Sequence, residues 1–107
     1  MMSEWILYDV CDGVCTITMN RPEKKNAMSF AMLSDFIAAF SRASEDDEAR
    51  VVVLKGTGGS FCAGTDLSDL ASIPGEKRGL RGSAEERGKW WPIVECPKPV
   101  IGVVDGP

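Results

Sequence analysis

The run "VVVLK" at residues 51–55 sets the first constraint on the fold, because its four aliphatic residues follow one another without alternating with polar ones. A strand of that kind suits a sheet covered on both faces, which is the habit of parallel strands. A second such run, "VIGVV" at residues 100–104, predicts another buried strand, leading to Asp105, Gly106 and Pro107. Segments with helical spacing lie before and between these runs. Strands alternating with helices predict an α/β fold in which at least part of the sheet is parallel.

The chain opens differently. "WILYDV" and "VCTITM" flank Asp12-Gly13, a pair favoured in two-residue hairpin turns, so strands are expected over 5–10 and 14–19. Such a turn sets Cys11 opposite Val14 and Val10 opposite Cys15. The two cysteines then point to opposite faces and make no joint disulfide or metal site. "NRPEKKNAM" is polar and contains Pro22, so it reads as a loop. Ser29 is a good N-cap for a helix over 30–43, whose expected buried stripe is Leu33, Phe36, Ile37, Phe40 and Ala43. "SEDDE" at 44–48 reads as a solvated turn rather than a metal site. Further on, Asp66 can cap a short helix "LSDLAS" that stops near Ile73-Pro74. The glycine-punctuated "GEKRGLRGS" is expected to be mobile. A helix over 84–95 would carry Trp90, Trp91 and Val94, with a kink at Pro92. No internal repeat occurs.

Composition narrows the function. A length of 107 residues predicts one small domain, residues 1–107. The net charge of −4 offers no basic face for nucleic acid or for an anionic membrane. With no basic flank at the N-terminus and no long apolar run, the expected location is cytoplasmic, where Cys11, Cys15, Cys62 and Cys96 stay reduced. The chain holds no histidine. That removes Ser-His and Cys-His dyads, the usual zinc and iron ligand sets, and the commonest general base. Chemistry must use carboxylates, backbone amides or groups supplied from elsewhere.

The glycine-rich stretch "GTGGSFCAGTDL" at 56–67 fails three templates. A dinucleotide fingerprint has glycine where Phe61 stands, and a phosphate loop has Lys-Ser/Thr where Thr65-Asp66 stand. A serine elbow on Ser60 has glycine where Cys62 stands, and needs a histidine. Cys62 has no cationic activator close in sequence and reads as a packing residue. A backbone role remains. Gly64 and Thr65 precede the Asp66 cap, so the Thr65 N–H is expected to lack a helical partner and to lie at the positive end of a helix dipole, where it could receive an oxyanion. A turn that merely needs glycine explains the same residues.

Three stretches together are recognisable. "NRPEKKNAMS" at 20–29, "FCAGTDL" at 61–67 and "CPKPVIGVVDGP" at 96–107 resemble the enoyl-CoA hydratase/isomerase (crotonase) family, in order and at the right separations. The resemblance covers essentially the whole chain but only the N-terminal part of the family's catalytic domain. It implies crotonase-like ββα units truncated before the C-terminal half. It also implies an acyl-CoA thioester as substrate, with coenzyme A entering as part of that substrate and no separate cofactor, and an enolate held by two backbone amides. The first of these amides falls at Thr65. Ala63, Gly64, Thr65, Asp66 and Leu67 would line the substrate and CoA site, and the loop around Lys24, Lys25 and Ala27 would meet the CoA moiety.

In the family the second amide follows the "NGP"-like segment, and the carboxylates that handle water and the α-proton lie further downstream. The 107 residues are therefore expected to be catalytically incomplete alone. Asp105 stands where the family commonly has asparagine. Glu85 and Glu86 match no catalytic position, and the basic residues from Lys77 to Lys89 could steer an anionic ligand or simply form a wall of the acyl pocket. Family members form trimers or pairs of trimers, so a homo-oligomer is expected. The rival expectation is a noncatalytic CoA-binding or assembly module that self-associates through an uncovered sheet edge.

Overall fold

The computed structural model of the chain describes residues 4–62, 96–104 and 106. Its elements are β1 (Ile6–Cys11), β2 (Val14–Met19), a 3-10 turn (Pro22–Lys24), α1 (Phe30–Glu45), β3 (Val51–Gly56) and β4 (Val100–Val103). They form one sheet in the order β1-β2-β3-β4. β1 and β2 are antiparallel, and β2, β3 and β4 run parallel to one another. The helix expected over 84–95, the Asp66-capped helix and the "GEKRGLRGS" stretch lie outside the described residues.

The hairpin forms as expected, since Asp12 and Gly13 hold φ of 51° and 83°, the left-handed pair that a tight strand connection requires. Its register sets Val10 opposite Cys15 and Cys11 opposite Val14. Cys15 is therefore buried and Cys11 exposed, and both are free thiols. Burial pushes the Cys15 thiol pKa up, which keeps it protonated and inert. One face of the sheet carries Ile6, Cys15, Ile17, Met19 and Val52, all buried.

The helix α1 lies over that face, against β1 and β2. It starts where the sequence predicts: the Ser29 Oγ accepts from the Met32 N–H at 3.1 Å, a cap worth about 1 kcal/mol. It runs two residues further than expected, to Glu45, and its buried stripe is turned. Met32, Phe36, Ala39, Phe40 and Ala43 are buried, whereas Leu33 and Ile37 are half-buried. Both sets have helical spacing. The set that wins places Ala39 and Ala43 against the sheet, where small side chains let the helix approach closely, and Phe36 and Phe40 meet edge to face at 5.2 Å. Leu33 and Ile37, with Phe30 and Ser34, line an open groove of about 350 Å³ instead.

The expectation of two doubly covered strands needs a larger correction. Both strands form, and both are parallel, but only Val52 of β3 is fully buried, and β4 is exposed throughout. Ile101 and Val103 are 53% and 50% exposed. Among the described residues β4 is the sheet edge, and α1 covers β1 and β2 rather than β4.

At its C-terminal end α1 is tied down by polar groups, so "SEDDE" is more than a solvated turn. The Tyr8 hydroxyl donates to the Asp46 carboxylate at 2.7 Å, and the Arg42 guanidinium lies 4.1 Å from the Tyr8 ring centre. The Lys98 ammonium, just before β4, donates to the Ala43 and Asp46 carbonyls at 2.6 and 2.5 Å. The ammonium adds a second partner to carbonyls that also accept from the Asp46 and Ala49 N–H groups, at the negative end of the helix dipole. The hydrogen bond from Tyr8, then that from the Glu48 N–H, holds the Asp46 carboxyl below the usual carboxylate range. Burial, together with the Asp46 carboxylate, pushes the Tyr8 phenol above its ordinary value.

Tyr8 is the one tyrosine of the chain, which makes the shift measurable. Its unfolded pKa is about 10 and its folded pKa is higher, so the stabilisation is fully present below about pH 10 and is lost as pH rises beyond it. The difference in tyrosinate absorbance between the wild-type protein and Tyr8→Phe should stay flat through pH 10 until the alkaline unfolding step. Ordinary titration near pH 10 in folded protein would show that the phenol is not held in this way.

Candidate functional site

Parallel strands send their following loops to the same end of a sheet, and in open α/β sheets that end is where ligands bind. β2 leads into the loop 20–27, β3 into the segment 57–62 and β4 into residues 104–106. Each is part of a stretch that stands out in the sequence. They meet there: a side chain at Gly106 would bring its first carbon within 2.5 Å of the Gly59 carbonyl oxygen.

The loop after β2 is built by its own residues. Pro22 opens the 3-10 turn, where its missing N–H costs nothing, and the Lys25 N–H closes the turn on the Pro22 carbonyl at 3.0 Å. Lys25 and Asn26 then adopt left-handed φ of 52° and 59°. Arg21 spans the loop, its Nη1 donating to the Ala27 carbonyl at 3.1 Å while its guanidinium stacks 4.8 Å from the Trp5 ring centre. The result is a compact turn with the Lys24 and Lys25 side chains exposed and Ala27 half-buried.

Inside that turn lies a residue that sequence reasoning passed over. Asn26 is fully buried, at 0% exposure, and every polar atom of its carboxamide is engaged. Its Oδ1 accepts from the Arg21 N–H at 2.7 Å, and its Nδ2 donates to the carbonyls of Thr57 and Ser60 at 3.0 and 2.8 Å. Thr57 adds a backbone bond to Met19 at 3.0 Å and a hydroxyl contact with the Asn20 Oδ1 at 3.2 Å. One buried amide thus joins the loop after β2 to the loop after β3. The available signal was an asparagine beside Lys25 in a tight polar turn, a residue type that tolerates left-handed backbone.

Two glycines of "GTGGS" have their explanation here. A side chain at Gly56 would place its first carbon 2.7 Å from the Asn26 Nδ2 and 2.6 Å from the Phe61 carbonyl. A side chain at Gly58, whose φ is 73°, would lie 2.6 Å from the Pro22 Cβ. Both permit the two loops to pack directly against each other. Cys62 is half-buried against the core, as its reading as a packing residue expects. Ala63, Gly64, Thr65, Asp66 and Leu67 lie outside the described residues. Of the expected site residues, the fold therefore brings Lys24, Lys25 and Ala27 to this end of the sheet. No group of three or more cysteine or acidic side chains among the described residues could hold a metal ion.

A mixed sheet with three loops gathered at the carboxyl ends of its parallel strands defines the α/β class and makes that end the candidate site. Residues 9–107 match the enoyl-CoA hydratase/isomerase family, and the chain belongs to it. It is 38% identical over 105 residues to a "Probable enoyl-CoA hydratase" of Rhodobacter capsulatus, covering 94% of this chain and 38% of that protein. It is 37% identical to "Enoyl-CoA delta isomerase 2" of Rattus norvegicus, covering 98% of this chain and 27% of that one. The solved enoyl-CoA hydratase/isomerase from Xanthobacter autotrophicus Py2 superposes with a TM-score of 0.82 at 34% identity, over all of this chain and 40% of that structure. The chain has the crotonase fold over that shared part and spans well under half the length of these relatives.

The packing of the loops makes a graded prediction. Gly58→Ala meets both an unfavourable φ and the Pro22 side chain, whereas Gly59→Ala, at φ 76°, meets open space. Gly59→Ala should cost about 1 kcal/mol, the strain of a left-handed alanine, and Gly58→Ala clearly more. Chemical denaturation of the two variants measures the difference, and equal losses would mean that the loops do not press on each other at Gly58.

Proposed function

We propose that the native polypeptide carrying this chain is an acyl-CoA enzyme that hydrates a 2-enoyl-CoA or isomerises its double bond. The observation that supports the reading is the convergence of the loop 20–27, the segment 57–62 and Gly106 at the carboxyl ends of β2, β3 and β4. The Thr65 N–H donates to the thioester carbonyl, on whose oxygen negative charge grows as the enolate forms. A donor fixed in advance lowers that barrier because it need not reorganise during the reaction. In the family pattern a second amide and the proton-transferring carboxylates follow Pro107 in sequence, and they complete the chemistry. Lys24 and Lys25, exposed side by side on a turn held rigid by Asn26, suit the phosphates of the CoA moiety.

The two roles separate by experiment. Thr65→Pro deletes the proposed donor and should lower turnover of a 2-enoyl-CoA by about 10² to 10³, whereas Thr65→Ala keeps the N–H and should be mild. Circular dichroism must show both variants folded, and equal severity in the two removes the backbone-donor role. Changing Lys24 and Lys25 to glutamate should lower kcat/KM for the CoA ester, and the loss should shrink as salt screens the charges. A loss that does not respond to salt would contradict phosphate binding.

A second reading, a noncatalytic CoA-binding or assembly module, is favoured by the exposed apolar edge, where Ile101, Val103 and Val104 are 53%, 50% and 70% exposed. Binding of CoA by the native polypeptide without turnover of any 2-enoyl-CoA would support it.

A further inference from the structure

We infer that Asn26 is a positioning residue that couples the CoA-binding loop to the segment carrying the oxyanion donor. The inference rests on the acyl-CoA reading above and adds to it a residue that touches neither substrate nor reacting atoms.

The buried carboxamide makes three hydrogen bonds, and they fall on two loops. One goes to the Arg21 N–H at the start of the turn that presents Lys24 and Lys25. Two go to the Thr57 and Ser60 carbonyls, on the segment that leads by sequence to Ala63, Gly64 and Thr65. Gly56 and Gly58 are shaped to the same contact, since a side chain at either would force the loops apart. Ligand groups held by the lysine turn therefore press, through Asn26, on a segment fixed relative to them. Binding energy from the nonreacting nucleotide end of a substrate can then appear as positioning at the reacting end. Misplacement by about 1 Å can cost roughly a hundredfold in rate, so a rigid link of this kind bears on turnover.

The test uses the native polypeptide carrying this chain and compares two thioesters of the same short 2-enoyl acid, one of CoA and one of pantetheine, which lacks the nucleotide phosphates. Wild-type protein should turn over the CoA ester with the higher kcat. Asn26→Asp keeps the side-chain shape but loses both N–H donors, and Asn26→Gly loses the amide while accommodating the left-handed backbone. Either should lower kcat for the CoA ester at least about tenfold and leave the pantetheine ester little changed, so that the ratio between them collapses. Gly58→Ala, which leaves the amide in place but pushes on Pro22, should move the same ratio in the same direction and serves if the Asn26 variants do not fold. A purely structural role would lower both substrates by one factor, and that outcome, or an unchanged ratio, overturns the inference. Wild-type protein that turns over neither ester overturns the enzymatic reading itself.

Discussion

The parallel pairing of β2 with β3 is the constraint on which the remaining structure depends. A chain that has run up β2 must return to the starting end of the sheet before it can enter β3, and α1 makes that return across the face of β1 and β2. The pairing sets Cys15 beside Val52 and Ile17 beside Leu54, which gives the helix a continuous apolar surface to cover. It also means that the loops leaving β2 and β3 emerge on the same side, and β4 repeats the step. Three stretches well separated in sequence are thereby delivered to one end of the sheet without any long-range code beyond strand direction.

What holds those loops together is a neutral amide and missing side chains. The glycines of residues 56–59 suggest a phosphate cradle when read alone, and each phosphate-binding template fails at a particular residue. Packing supplies the answer that composition does not: Gly56 stands against the Asn26 amide and Gly58 against Pro22. The demand on these positions comes from a neighbouring loop, so nothing within the stretch itself reveals it. Asn26 was hidden for the same reason. Its neighbours Lys24, Lys25 and Ala27 attract attention by charge or by family pattern, while the asparagine works through carbonyls of residues more than thirty positions away.

Elements governed by local rules were legible in the sequence. Asp12-Gly13 specifies its turn through backbone conformation, Ser29 specifies the helix start through one hydrogen bond, and the hairpin register puts Cys11 and Cys15 on opposite faces. Burial was less legible because it depends on what lies opposite. The α1 sequence offers two overlapping stripes, and alanines at 39 and 43 decide between them only once a sheet is present. The aliphatic runs of β3 and β4 correctly implied parallel pairing, yet the same runs overstated their cover, since no described element packs over β4. Strand direction follows from the order of elements, whereas cover requires a second layer that the run itself does not contain.

The two ends of the sheet are secured by different chemistry, and this bears on why an amide sits at the end that holds the candidate site. At the far end, Lys98 and Arg42 join Asp46 and Tyr8 near solvent, where ionised groups are readily hydrated and add fastening between α1, β1 and the entry to β4. An ion pair between the loops at the candidate site would have to be buried, where desolvation offsets most of its attraction. A buried carboxylate there would also oppose an anionic ligand at close range. The carboxamide of Asn26 supplies both donor and acceptor without net charge, so it joins the loops without setting a buried carboxylate beneath the exposed Lys24 and Lys25. Neutral fastening inside and lysines outside is therefore an arrangement that lets one turn serve as a structural joint and, on the proposed reading, as an anion site as well.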